Sequence, residues 1–174
     1  MNQALDKSQL GRAGELALEF YALVEAGDAL DIYTPVVDDD HVDLIAAHRG
    51  GAPALAIQVK TTDHLDANGL VEARASYPHG SIREDPNFLY AVVLLDSVRI
   101  ASAWLIPSAD FNRSAYHVSE GGREVLELRA SPTRRDAFAR FRVEPLLLGK
   151  AIAERIAGAA AGPEWIISLG RRDR

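Results

Sequence analysis

Two neighbouring segments hold the side chains whose types and spacing could do chemistry. These are His41-Val42-Asp43-Leu44 and Ile57-Gln58-Val59-Lys60-Thr61-Thr62, each apolar enough to read as a strand. Alternate residues of a strand share a face. Gln58 and Lys60 therefore lie together with Ala56 and Thr62, while Leu55, Ile57 and Val59 point the other way. A hairpin centred between Gly50 and Gly51 places Asp43 opposite Gln58 and His41 opposite Lys60. Opposed residues of an antiparallel pair sit on one face with Cβ atoms about 4.5–5.5 Å apart. A one-residue slip would turn Asp43 to the other side.

A carboxylate, an amide oxygen and an ammonium on one patch suit a hard divalent cation and a phosphate ester. Mg²⁺ takes oxygen ligands and keeps several waters. Asp43 offers an anionic oxygen, the Gln58 side chain a neutral one, and the Val59 carbonyl a third. Lys60 beside a bound water can orient it or stabilise charge on a phosphoryl group. The chemistry implied is phosphodiester hydrolysis with Mg²⁺ or Mn²⁺. Each residue also has a plainer reading. Asp43 can be an acid near a turn, and Gln58 and Lys60 outward residues of an edge strand, where lysine discourages sheet-to-sheet pairing. The chain has sixteen arginines but only three lysines, which makes one inside a strand pattern conspicuous.

The elements that must position these residues are legible in outline. Ser8–Ala26 has a helical pattern, with Ala13, Leu16, Ala17, Phe20, Leu23 and Val24 as its apolar face and Asp6 or Ser8 as its cap. Strands are predicted at Ala29–Val37, His41–Ala47, Leu55–Thr61, Phe88–Leu95 and Ile100–Ile106. Phe88–Leu95 is apolar on both faces and predicts a central strand covered on both sides. Asp63 to Asn87, punctuated by Asn68-Gly69, Tyr77-Pro78 and Asp85-Pro86, reads as a long loop with one short strand at Leu70–Ala73. Tyr116–Ser119 and Glu124–Arg129 flank a turn as a hairpin. Ser131-Pro132 reads as a cap opening a helix to about Arg142, and a last helix follows from Pro145 to about Ala157. Asp38-Asp39-Asp40 reads as a solvated turn. Helices around a mixed sheet define an α/β class in one domain over residues 1–174.

On these residues the chain resembles the PD-(D/E)XK nuclease superfamily, in the branch whose last motif reads QxK. The likeness lies in a first helix with Gly11-Arg12-Ala13-Gly14-Glu15, then His41-Val42-Asp43-Leu44, then Ile57-Gln58-Val59-Lys60-Thr61-Thr62, and covers roughly the first third of the chain. The resemblance implies a restriction-endonuclease-like sheet flanked by helices. It makes Asp43 the metal-binding aspartate, Lys60 the catalytic lysine and Glu15 an accessory acid. Gln58 stands where most members carry Asp or Glu, and Val42 replaces the proline. Glu15 also reads as a solvated acid beside Glu19.

Composition sets the outer limits. Hydrophobic residues at 48% and charged ones at 25% fit a folded globular chain and not a disordered one. No apolar run reaches the ~18 residues of a membrane span, and Met1 to Leu10 has no leader pattern. With no cysteine there is neither a disulfide framework nor a thiolate site, and the expected compartment is the cytoplasm. A net charge of −6 excludes a uniformly basic DNA-coating protein, but not an acidic active site with a local basic face. Arg134 and Arg135, near Arg140 and Arg142, are the expected phosphate contacts, with a solvated helix face as the plainer reading. The expectation is a Mg²⁺-dependent endonuclease on DNA, in which a homodimer would place one site on each strand and the apolar tail Trp165–Leu169 would serve as a contact. The alternative is an inactive nuclease-fold module that binds DNA or a protein.

Overall fold

In the computed structural model, residues 5–36, 41–49, 51 and 53–160 are described. Helix α1 spans Lys7–Ala26, and its start is fixed by a capping box in which the Asp6 carboxylate accepts from the Gln9 amide and the Gln9 side chain accepts from the Asp6 amide. It leads into strand β1, Leu30–Tyr33, shorter than the run predicted there. Then follow β2 Leu44–His48, β3 Ala54–Thr62, β4 Val71–Pro78, β5 Phe88–Asp96 and β6 Arg99–Pro107. After the short helix α2 (Ser108–Ser114) come β7 Tyr116–Glu120, β8 Arg123–Ala130, the two-residue β9 Arg142–Val143 and helix α3 Leu148–Ala160.

Among the described residues, six strands form one sheet in the order β1-β2-β3-β5-β6-β9. β3 and β5 run parallel and the other neighbours antiparallel, so the sheet is mixed. β5 lies at its centre, and from Phe88 to Leu95 every residue is buried, as its two-sided apolar run predicts. Leu89, Ala91, Val93 and Leu95 enter a core with Leu18 and Ala22 of α1 and Leu148, Ile152 and Ile156 of α3. α3 approaches α1 at Gly149, where a Cβ would lie 2.3 Å from the Ala22 carbonyl oxygen. Phe88, Tyr90, Val92 and Leu94 enter a second core with Phe111 of α2, Val71, Ala73, Ala75 and Tyr77 of β4, and Leu126 and Leu128 of β8. The fold is thus an α/β sheet with helices on both faces.

Three expectations need correcting. The stretch predicted as mostly loop contains β4, whose pattern of buried Val71, Ala73, Ala75 and Tyr77 alternates with outward Glu72 and Arg74. With β8 and β7 it builds a second, three-stranded antiparallel sheet over the first. The buried face of α1 consists of Gly14, Leu18 and Ala22, while Leu16, Phe20 and Val24 are exposed. Close helix-on-sheet packing selects small residues there, so side-chain size misidentified the face. The helix predicted after Ser131 does not form. The Ser131 hydroxyl does accept from the amides of Thr133 and Arg134, as a cap would, but Asp136 then accepts from the Ser131 and Phe138 amides and Arg142 donates to the carbonyls of Ser131 and Pro132. These bonds occupy groups that a helix would use, and only a helical turn at Ala139–Phe141 remains. The hairpin of β7 and β8 and the last helix stand as predicted, the latter entered by a turn at Pro145–Leu147. Asp38, Asp39, Asp40 and Trp165–Leu169 lie outside the described residues.

Candidate functional site

β2 and β3 pair in the predicted register, with Leu44 opposite Ile57, Ile45 opposite Ala56 and Ala46 opposite Leu55. The ladder stops at Leu44, one residue short of Asp43. His41 has φ 57°, in the left-handed region, which ends the extended backbone and removes His41 from the place opposite Lys60. The Asp43 amide donates to the Ile57 carbonyl at 2.9 Å, and the Asp43 Oδ2 accepts from the Val59 amide at 2.6 Å. The carboxylate is therefore held on the β3 edge just beyond the last β2 pair.

Backbone direction brings a second oxygen there. The Ala56 amide bonds to Asn87 on the β5 side at 2.8 Å, so even-numbered residues of β3 turn their N–H and C=O toward β5. Odd-numbered residues turn theirs toward the β2 edge, where the Val59 amide meets Asp43. The Val59 carbonyl opens on that same edge.

Gln58 and Lys60 project, as their parity predicts, from the face of β3 that looks toward β4. Gln58 is only 4% exposed, and its Oε1 accepts from the Tyr77 hydroxyl at 3.3 Å. The Tyr77 hydroxyl is also bonded to that of Tyr90. Burial keeps both phenols protonated by pushing the Tyr77 and Tyr90 hydroxyls above the usual tyrosine range. An ionised carboxylate at position 58 would bear a desolvation cost that the amide does not. Lys60 is half-buried one pleat further along, in register with Val92 of β5.

Glu15 follows the point at which α1 touches β3. A Cβ on Gly14 would lie 1.8 Å from Thr61 Oγ1, so glycine alone permits this approach. Thr61 belongs to the odd-numbered face, which places α1 across β3 from Gln58 and Lys60. Glu15 is half-buried and accepts from Arg12 at 2.7 Å. The structure thus joins Asp43 with Val59, sets Gln58 beside Lys60, and holds Glu15 in an ion pair on the helix over the other face.

Arg134 and Arg135 lie in the non-helical segment after β8. The Arg134 guanidinium donates to the Asn68 carbonyl at 2.8 Å, tying this segment to the turn between β3 and β4. Arg135 is exposed. Arg140 pairs with Asp110 at 2.9 Å, and Arg142 is committed to backbone carbonyls. The cluster is therefore several local anchors and not one helical face.

Tyr77 and Tyr90, linked by hydrogen bonds to Gln58 and to each other, are neighbours of this candidate site that the sequence did not single out. The alternation from Val71 to Tyr77 was the available signal, masked by Tyr77-Pro78, where proline ends the strand instead of marking a loop.

The fold resembles that of a solved nuclease. That structure is a bacterial homing endonuclease, I-Ssp6803I, which aligns over 91% of this chain and 100% of its own with 15% identity and a TM-score of 0.58. At that identity the likeness is one of fold. No protein-family model and no curated protein sequence matches the chain.

Proposed function

We propose that the protein is a divalent-metal-dependent endonuclease acting on DNA phosphodiesters. The observation that carries this reading is the Asp43 carboxylate locked to the Val59 amide, on the edge where the Val59 carbonyl also opens. A nuclease neighbour with the same fold supports it, and DNA is the substrate its class suggests.

The donor chemistry fits Mg²⁺ or Mn²⁺. Among the described residues no three His, Cys, Asp or Glu side chains gather to hold a metal. Hard-cation sites built on one or two carboxylates, with water and substrate phosphate completing the shell, do not need such a cluster. Asp43, the Val59 carbonyl and the remaining lone pair of Gln58 Oε1 would hold the ion. When bound, it would supply charge neutralisation at the phosphate and a more acidic water. Lys60 orients the attacking water and stabilises the charge that builds on the phosphoryl oxygens. That water forms a new P–O bond, the bond to one sugar oxygen breaks, and that oxygen leaves with a proton. Glu15, expected as an accessory acid, is paired with Arg12 on the helix over the other face of β3 and takes no step in this mechanism. Arg135 meets a phosphate, and a homodimer would treat both strands.

The neutral Gln58, with its oxygen already hydrogen-bonded, favours a second reading: a nuclease-fold module without catalysis that binds DNA or a protein. A plasmid-nicking assay with Mg²⁺ and Mn²⁺, run beside Lys60→Ala protein and an EDTA control, separates the two. Metal-dependent nicking lost in the variant is the expected result. Equal activity in both proteins would remove the site assignment, and no activity on any DNA form would favour the binding module.

A further inference from the structure

We propose that Tyr77 is a positioning residue for the candidate metal site, fixing the Gln58 amide through its hydroxyl and supporting the approach to Asp43 through its ring. The inference rests on the nuclease reading above. Tyr77 comes from β4, in the second sheet, and touches both arms of the site. Its O–H donates to Gln58 Oε1 at 3.3 Å. Its ring meets the His41 imidazole edge-on, with centroids 5.3 Å apart and planes at 76°, two residues before Asp43.

The hydroxyl bonds have a direction. Tyr77 has one proton, and Gln58 Oε1 receives it, so the bond between the two tyrosines is donated by Tyr90. The relay runs from Tyr90 through Tyr77 to Gln58. Its far end is packed between two rings: the Tyr90 ring stacks on Phe111 at 3.9 Å and receives the edge contact of Phe88 at 5.2 Å. Serial donors in a buried setting polarise one another, and each strengthens the next. Gln58 Oε1 is thereby held in one orientation, with a lone pair left for a cation. A side-chain amide has no charge to orient it toward a metal, so this relay does what electrostatics would do for an Asp or Glu.

The test uses the full chain and Mn²⁺ alone, without DNA, so that affinity is read apart from cleavage. Outer partners of metal ligands are worth about 10–100-fold in metal affinity. Tyr77→Phe, which keeps the ring and removes the hydroxyl, weakens calorimetric Mn²⁺ binding by that factor. Tyr90→Phe, acting from the far end, weakens it less, and Tyr116→Phe on the exposed β7 leaves it unchanged. In the metal-free protein, Tyr77→Phe also shifts the ¹⁵N-resolved side-chain amide signals of Gln58. Wild-type Mn²⁺ affinity in both Tyr77→Phe and Tyr90→Phe overturns the positioning role while the metal reading stands. A wild-type protein that takes up no Mn²⁺ overturns the metal reading and this role with it.

Discussion

The Asp43 carboxylate accepts the Val59 amide at 2.6 Å across the point where pairing of β2 with β3 ends. One side chain therefore completes a sheet edge and presents an anionic oxygen. The two roles can be separated by substitution. Asp43→Ala leaves the amide without its partner and lowers the unfolding free energy by about 1–3 kcal/mol. Asp43→Asn keeps a neutral acceptor and costs less, but lacks the charge a cation needs. Urea denaturation and Mn²⁺ calorimetry on both variants check this. An Asn variant that binds Mn²⁺ as tightly as wild type would make Asp43 a structural cap only.

Gly14 and Gly11, three residues apart on α1, are expected to respond oppositely to alanine. Alanine gains up to about 1 kcal/mol over glycine in a helix interior. At Gly11 an added Cβ meets nothing within 4 Å, so Gly11→Ala raises the melting temperature by roughly 2–4 °C. At Gly14 the Cβ would strike the Thr61 side chain, and Gly14→Ala lowers it despite the same propensity gain. Thermal scans of the two proteins decide the matter. A stabilised Gly14→Ala protein would mean that α1 does not seat against β3 at Thr61.

Much of the candidate site's strand geometry was legible because two-residue periodicity is a strict geometric rule. The parity of Gln58, Val59 and Lys60 followed from it, and the register of Leu44 with Ile57 from a hairpin centre read at Gly50-Gly51. What the rule could not give is where a ladder stops. The left-handed His41 ends this one, and Asp43 reaches β3 by its side chain and amide instead of by strand pairing. The second sheet was hidden because Asn68-Gly69 and Tyr77-Pro78 bracket β4 with turn signals, although Val71–Tyr77 alternates cleanly. Ser131 makes local cap bonds without a helix behind them, which no local signal distinguishes from a true start. The outward Leu16, Phe20 and Val24 show that apolarity alone does not choose a helix's buried face.

Arg134 and Arg135 are adjacent but placed differently, which predicts different losses. Arg135 is exposed, and as a phosphate contact its removal weakens DNA binding evenly across sequences and lowers the salt slope by about one. Arg134 holds the Asn68 carbonyl, so Arg134→Ala loosens the β3–β4 connection and speeds protease cleavage there. Anisotropy titrations at several salt concentrations, with limited proteolysis alongside, separate the effects. An unchanged salt slope in Arg135→Ala would remove this residue from the DNA surface.

The buried phenols predict a stability that fails on the alkaline side. Burial raises Tyr77, and burial followed by the bond to Tyr77 raises Tyr90. Each folded value lies above the unfolded one of about 10, so the folded chain keeps protons that the unfolded chain releases. Their contribution is fully present below that value and declines as the pH rises through it. The urea midpoint is therefore unaffected by these groups below about pH 9 and falls above about pH 10. Tyr77→Phe and Tyr90→Phe each flatten that fall, since a phenylalanine has no proton to lose. Phenolate absorbance followed beside circular dichroism gives the structural side of the same test: the Tyr77 and Tyr90 signals arise only as the fold is lost. If they appear while the protein is still folded, the chain from Tyr90 to Gln58 opens without unfolding, and Gln58 is not rigidly oriented by it.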